Sequence, residues 1–422
     1  ADAATDGLRR NPKRKAAPEA FDLPDDLLEK ALEPMGIDER EDWQSWVEVE
    51  SDPAFFNVII RELGVHDVQV QELFTLDSLV ELPKPVYGLV FLYQYVPETI
   101  EEETEDSSDV WFANQTTSNA CATVALLNII MNAGNLELGR SLQTFKAETA
   151  GLEPPLRGNM LTHNITIRTA HNSFARRLDL LNADLVVDNE FGDAKKAKHG
   201  KASSKARYKS KSKGEDEAAF HFIAYVPIGT KIWQLDGLQT HPVLLGAFEG
   251  DWTSSVGPFI EARMLQYETE QVSFNLLALC RNPVGSLRRR LAENIQCLDI
   301  LRDISTTKDE AVTPWLANHE SSMRAEKLTT YGLSEPDIQM ASSQRSEGLL
   351  GRSKGAVLSS VEKTEICQKL IAEQENLLAD YTAHQVSMED DSGVATGRKK
   401  DYTKAIHEWT KRLVEHGVLQ EL

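Results

Sequence analysis

Apolar residues recur along this chain with two different spacings, and the alternation between them outlines a mixed fold. After Asp52-Pro53, an N-cap with proline at the first helical position, come Phe55, Phe56, Ile59, Ile60 and Leu63. That is the spacing of one helix face, and Gly64 closes it. The run 86-VYGLVFLYQYV-96 is dense in β-branched and aromatic residues and predicts a buried strand. A helix is expected over about 120–133, ending at Gly134, with polar Thr116, Thr117, Ser118 and Asn119 ahead of it. Strands follow at about 219–226 and 231–236, around the turn Pro227-Ile228-Gly229-Thr230. A helix over 251–268 opens on Asp251, and 270-EQVSFNLLALC-280 alternates as a further strand. Strands interleaved with helices around one core indicate an α/β or α+β fold.

The pattern changes after Asn282. A helix is expected over 284–303, then a polar linker over 305–356, then a helix over 357–384. A polar gap, 388-MEDDSGVATGRKK-400, separates it from a last amphipathic helix over 402–417. The organisation read from these shifts has five parts. Residues 1–41 form a disordered extension carrying the basic cluster 9-RRNPKRK-15. Residues 42–282 form a compact unit, interrupted by a Lys-rich loop at 192–217. A linking helix spans 283–304, a flexible linker 305–356 and a helical tail 357–422. The basic cluster fits a nuclear localisation signal or a solvated tail.

Composition narrows the partners. The 422 residues carry a formal net charge of −21, which argues against a general nucleic-acid binder. The four cysteines, Cys121, Cys280, Cys297 and Cys367, form no CxxC pair, so neither a zinc site nor a disulfide framework is expected. A reducing compartment fits that usage. No apolar run reaches the roughly 18 residues of a membrane span, and no apolar signal region opens the chain.

Three short stretches carry candidate chemistry. Cys121 falls in the first turn of the helix that follows Ser118 and Asn119. Unpaired N–H groups and the macrodipole favour a thiolate at such a position, although a lone cysteine there also reads as small core filler. In 219-AFHFIAYVPIGTKIWQLDG-237, a hairpin centred on Ile228-Gly229 sets His221 opposite Asp236 and Val226 opposite Lys231. Opposed residues share a face, with Cβ atoms about 4.5–5.5 Å apart. A carboxylate there fixes the imidazole tautomer and leaves the other nitrogen to take a thiol proton. A core-edge histidine beside a capping aspartate is the structural alternative. Gln115, six residues before Cys121, can donate to a developing oxyanion together with a backbone N–H. His171 in 171-HNSFARR-177 reads as structural or substrate-facing. No P-loop, dinucleotide fingerprint or HExxH motif is present.

These residues lie in segments that resemble the ubiquitin C-terminal hydrolase family of cysteine deubiquitinases. The resemblance covers about 42–281, through 46-WVEVESDPAFFNVIIRELGV-65, 88-GLVFLYQY-95, 115-QTTSNACATVALLNIIMN-132, 171-HNSFAR-176, 220-FHFIAYVP-227 and 235-LDGL-238. It implies Cys121 as nucleophile, His221 as general base and acid, Asp236 as its orienting partner and Gln115 as oxyanion donor. It also implies a papain-like α-β-α sandwich with a knotted backbone, and chemistry that needs no metal or cofactor. The substrates would be ubiquitin and its conjugates, cleaved after the C-terminal glycine. A loop crossing over the active site is expected at about 150–170, where 151-GLEPPLRGNMLTHNIT-166 holds Pro and Gly. The role of the Lys-rich piece 193–213 is left open.

The segment 401-DYTKAIHEWTKRLVEHGVLQEL-422 resembles the tail of the longer members, which docks on an adaptor. One branch binds the ubiquitin-receptor subunit of the proteasome. The other is nuclear, joins a Polycomb-type chromatin adaptor and acts on histone. The proteasome-type branch is the expectation here, with a cytoplasmic and nuclear distribution and no membrane partner. A non-catalytic ubiquitin-binding scaffold and an unrelated papain-like amidase or transglutaminase are the alternatives.

Overall fold

The computed structural model describes residues 36–94, 107–185, 220–267, 274–305, 325–341, 359–400 and 402–415. The basic cluster at 9–15, most of the acidic stretch 98–109 and the Lys-rich piece lie outside the described residues.

Six antiparallel strands form one sheet among the described residues. They are β1 (Val68–Leu73), β2 (Val86–Gln94), β3 (Phe220–Ile228), β4 (Lys231–Leu235), β5 (Val243–Ala247) and β6 (Asn275–Arg281), in the order β1-β6-β2-β3-β4-β5. β2 and β3 are therefore inner strands, paired on both sides. Helices cover both faces. On one lie α1 (Ile37–Asp42), α2 (Pro53–Glu62), α3 (Cys121–Ile130), α4 (Arg140–Thr149), α5 (Pro154–His163) and α6 (Ile165–His171). α2 to α6 share a core there with Val90, Phe222, Ala224 and Leu277 from the strands. On the other face α7 (Trp252–Tyr267) packs Trp252, Val256 and Ile260 against Leu89, Phe91, Ile223 and Ala278. Alternate residues of β2 and β3 thus serve opposite cores, which is why these strands read as continuous apolar runs. The expected α-β-α sandwich is present. The expected knot is a property of the whole chain path, part of which lies outside the described residues.

The helix signals hold where their caps are made. The Asp52 side chain accepts from Ala54 N at 2.8 Å, Pro53 takes the first helical position, and Gly64 leaves the helix with φ +76°. Asp251 accepts from Thr253 N at 3.1 Å at the head of α7. Two strands, β1 and β5, and the helix α4 were not anticipated from the pattern, and α1 corrects the disorder expected through residue 41: Glu39 pairs with Arg177 at 2.7 Å and Arg40 donates to Ser173 O at 3.0 Å.

Three expectations need correction. The crossover loop expected at 150–170 is helical instead: Pro154 and Pro155 occupy the opening positions of α5, and Asn164 caps α6 by accepting from Ile167 N at 3.0 Å. The linker 305–356 contains α9 (Ala325–Thr330) and α10 (Glu335–Gln339). Leu328, Leu333 and Ile338 from this region pack on α8 (Val284–Ile304). The polar gap at 388–400 belongs instead to one long helix, α11 (Ser360–Arg398). A Ser359/Glu362 capping box opens α11. Its polar second half is held by tertiary contacts: Asn57 Nδ2 donates to Asp391 at 2.7 Å, and Ala395 is buried in the core shared with α2 and α3. α12 (Thr403–Glu415) follows, with Tyr402, Ile406, Trp409 and Val414 exposed.

Candidate active site

Cys121 is the first residue of α3 and is half-buried. Ala120 stands at the N-cap position and no side chain caps the helix, which corrects the capping expected from Ser118 and Asn119. Asn119 adopts the left-handed φ of +62°, which asparagine tolerates, and its Nδ2 donates to Trp46 O at 3.1 Å. The first-turn N–H groups beside Cys121 thus keep no side-chain acceptor, the arrangement that favours an anion.

His221 is the second residue of β3 and Asp236 directly follows β4. His221 Nε2–H donates to Asp236 Oδ1 at 2.6 Å, and both side chains are buried. The β3–β4 register differs from expectation by two residues. Ile228 pairs with Lys231, Val226 with Trp233 and Ala224 with Leu235, around a two-residue turn in which Gly229 has φ +61°. A slip of two residues preserves the face on which each side chain points, whereas a slip of one would reverse it. The pair therefore meets as near-opposed neighbours at the sheet's end. Asp236 Oδ1 also accepts from Leu238 N at 2.9 Å, which fixes the carboxylate. Burial lowers the His221 pKa. The hydrogen bonds and charges of Asp236 and Cys121 outweigh it and hold the value at about 9.

Gln115 is placed by a frame that sequence reasoning missed. Asn128 on α3 and Asn132, four residues on and just past the helix end, clasp the preceding segment. Asn128 Oδ1 accepts from Ala113 N at 2.9 Å, and Asn132 pairs with Trp111 N and O at 2.9 and 2.7 Å. The buried Arg157 guanidinium donates to Thr149 O, Ala150 O, Val110 O and Phe112 O. Gln115 N then donates to Gly237 O at 2.8 Å, tying this segment to the turn that carries Asp236. A Cβ at Gly237 would lie 3.0 Å from Val124 Cγ1 and 3.1 Å from Gln115 N, so only glycine permits this approach without a shift. Gln115 Nε2 donates to Thr117 O at 3.0 Å. An amide NH₂ has two hydrogens, so one is left for a ligand.

Residues 45–51 form the opposite wall. Asn172 bridges Ser45 O (2.9 Å) and Val47 N (3.2 Å), and His171 Nε2–H donates to Val47 O at 2.7 Å. The other His171 nitrogen then accepts from Thr123 Oγ1 at 2.7 Å, two residues beyond Cys121. His171 is fully buried, and burial pushes its pKa down to about 4. It has a structural place, and the segment 45–47 is held by side-chain clamps rather than by sheet pairing. Between the two walls lies a cleft of about 390 Å³, lined by Glu48, Val49, Ser51, Gln115, Cys121 and His221 among others. A larger cleft of about 540 Å³ lies between α2, β1 and α11, away from Cys121. Among the described residues no cluster of three or more His, Cys, Asp or Glu side chains is arranged to hold a metal ion. Nor is any helix there long and apolar enough to cross a membrane.

A thiol at a helix start, beside a buried imidazole–carboxylate pair and an amide donor, is the equipment of a cysteine acyl hydrolase. The family described as ubiquitin carboxyl-terminal hydrolase, family 1, matches residues 46–265, just over half of the chain. The ubiquitin carboxyl-terminal hydrolase ubh-4 of Caenorhabditis elegans is 36% identical over 259 residues, covering 60% of this chain and 72% of that protein. The ubiquitin carboxyl-terminal hydrolase calypso of Drosophila virilis is 30% identical over 403 residues, covering 89% of this chain and 76% of that protein. A solved structure, the UCH37 catalytic domain of Trichinella spiralis bound to ubiquitin vinyl methyl ester, is similar at a TM-score of 0.44. It is 30% identical and covers 56% of this chain and 98% of that one. The chain belongs to the ubiquitin carboxyl-terminal hydrolase family, whose members are cysteine-type deubiquitinating enzymes.

Proposed function

We propose that Cys121, His221, Asp236 and Gln115 are the catalytic set of this deubiquitinase. The observation that carries this is the buried 2.6 Å His221–Asp236 pair, whose imidazole lines the same cleft as Cys121. The Cys121 thiolate attacks the carbonyl carbon of the C-terminal glycine of ubiquitin. Gln115 Nε2–H and the Cys121 backbone N–H stabilise the oxyanion. Protonated His221 gives its proton to the leaving amine, and a thioester forms. Neutral His221 then takes a proton from a water whose oxygen attacks the thioester carbonyl; the C–S bond breaks, ubiquitin leaves with a free carboxyl group, and the Cys121 thiolate and protonated His221 are restored. These residues need no metal or cofactor for that sequence.

A ubiquitin-based electrophilic probe tests the assignment. Wild type should be labelled on Cys121, and Cys121→Ala should bind ubiquitin without labelling. A wild-type chain that binds ubiquitin but is never labelled would favour the scaffold reading.

For the tail, we favour docking of a proteasome ubiquitin-receptor subunit on α12, whose apolar Ile406, Trp409 and Val414 are exposed. The nuclear branch with a chromatin adaptor is the alternative occupant of the same exposed helix. A pull-down with the full chain separates them by recovering a proteasomal or a chromatin partner, and fractionation tests the cytoplasmic and nuclear distribution.

A further inference from the structure

The hydrogen bond to Asp236 fixes one atom of the His221 ring. It does not by itself stop the ring plane from swinging about the Nε2–Oδ1 line. The β2–β3 register sets Tyr93 directly opposite His221, so the two side chains leave the sheet on the same face. Their ring centroids are 6.0 Å apart with the planes at 75°. Tyr93 is 1% exposed and is itself confined. Phe91, two residues back on the same face, stacks on it at 5.9 Å and 18°. The guanidinium of Arg263, on α7, lies 4.9 Å from the Tyr93 ring centroid. Phe91 is in turn stacked on Phe274 at 5.6 Å. An aromatic column anchored on the far face of the sheet therefore ends against the imidazole, on a different side from Cys121's helix.

We propose that Tyr93 is a positioning residue for His221, and that Arg263 holds Tyr93 in place from α7. The contact blocks rotation of the imidazole away from the thiol, in the way a T-shaped aromatic pair restrains both rings. It connects the helix layer that carries no catalytic group to the residue that moves the proton. This inference rests on the assignment of His221 as general base and acid.

The test uses the full chain and a fluorogenic ubiquitin-amide substrate. Tyr93→Leu should lower kcat by on the order of tenfold or more, the scale of a misplaced catalytic group. KM should be unchanged, as should ubiquitin affinity measured in a Cys121→Ala background. Tyr93→Phe keeps the ring and should restore most of that kcat. Arg263→Gln should give a smaller kcat loss of the same kind. The His221 ring signals in a histidine-labelled NMR spectrum should move in Tyr93→Leu and much less in Tyr93→Phe. Wild-type kcat in folded Tyr93→Leu overturns the proposal, and so does a loss that appears equally in ubiquitin affinity. Should Tyr93→Leu fail to fold, Arg263→Gln decides: unchanged kcat overturns the proposal. His221→Ala serves as the reference. If it retains full activity the assignment of His221 itself fails, whereas failure of the Tyr93 variants alone leaves that assignment standing.

Discussion

At His221 burial and charge act in opposite directions, and charge prevails. The imidazole is held at about 9, so at neutral pH it carries the proton that the leaving amine needs. Activity should therefore fall as pH rises through about 9. Asp236→Asn removes the carboxylate that sustains this value, so the alkaline limb should move to lower pH and kcat should fall on the order of a hundredfold. A pH–rate profile whose alkaline limb stays in place would refute the role given to Asp236. Because the folded value lies above the ordinary 6.5, the pair stabilises the fold fully below pH 6.5, and that stability is lost as pH rises through about 9. His171 behaves in the opposite sense. Its value of about 4 lies below 6.5, so the fold loses stability as pH falls from 6.5 toward 4, by about 3 kcal/mol in total. His171→Gln should flatten the acid side of a Tm-against-pH curve and lower Tm at pH 7 by breaking the Thr123 and Val47 contacts. Equal acid sensitivity in wild type and variant would show that another group sets it. His221, Asp236 and Cys121 were legible because each stands at an element boundary that the local pattern marks. The clamps made by Asn128, Asn132, Asn172 and Arg157 were not, since their partners lie at sequence separations from 7 to 127.

Among the elements, α3 and α5 together decide where the oxyanion donor sits. α3 carries Cys121 at its start and Asn128 near its end, with Asn132 just beyond it, and the two asparagines clasp residues 111–113, so nucleophile and donor share one rigid body. α5 closes on this segment from outside. Asn114 N donates to Pro154 O at 3.2 Å, and a Cβ at Gly158 would collide with the Asn114 carbonyl. Gly158→Ala should therefore push α5 and residue 114 apart. The expected cost is about 1–3 kcal/mol of stability, with a kcat loss exceeding the effect on ubiquitin binding. Denaturant unfolding and steady-state kinetics check both, and a variant with wild-type kcat would show that Gln115 does not depend on this contact. The same glycine and its neighbouring prolines suggested a loop in the sequence. Proline opens helices as readily as it breaks them, and glycine permits close backbone approach inside one. The hairpin illustrates a different limit. Turn residues indicated its existence, but its register was set by the sheet, two residues from the expected pairing. The His–Asp reading survived because both registers keep these residues on one face.

Across the whole molecule, α11 joins the tail to the catalytic unit and reaches the rim of the cleft. Its first half packs Cys367, Leu370 and Ile371 against Cys297, Leu298 and Leu301 of α8. Its second half runs past α2, and its last residue, Arg398, pairs with Glu50 at 2.9 Å and with Asp179 at 2.9 Å. Glu50 lines the cleft with Cys121. The polar composition of 388–398 hid this continuity, because its helicity comes from packing on α2 rather than from propensity. The boundary between an expendable tail and an integral helix thus lies near 401, not within α11. A chain ended after Lys400 should keep hydrolysis of ubiquitin-amide and its Tm, while losing the adaptor binding proposed for α12. Ending the chain after His384 cuts α11, uncovers Asn57, strips Ala395 from the core and releases Glu50 and Asp179. That chain should melt several degrees lower, since about 1 kcal/mol shifts Tm by roughly 2–4 °C in a unit of this size. Its KM should rise as the cleft wall loosens. Arg398→Ala in the full chain isolates the last contact and should cost about 1 kcal/mol or less, as partly exposed ion pairs do. If both truncations behave alike in Tm and KM, the second half of α11 is only a spacer, and the cleft wall at 45–51 stands on the His171 and Asn172 clamps alone.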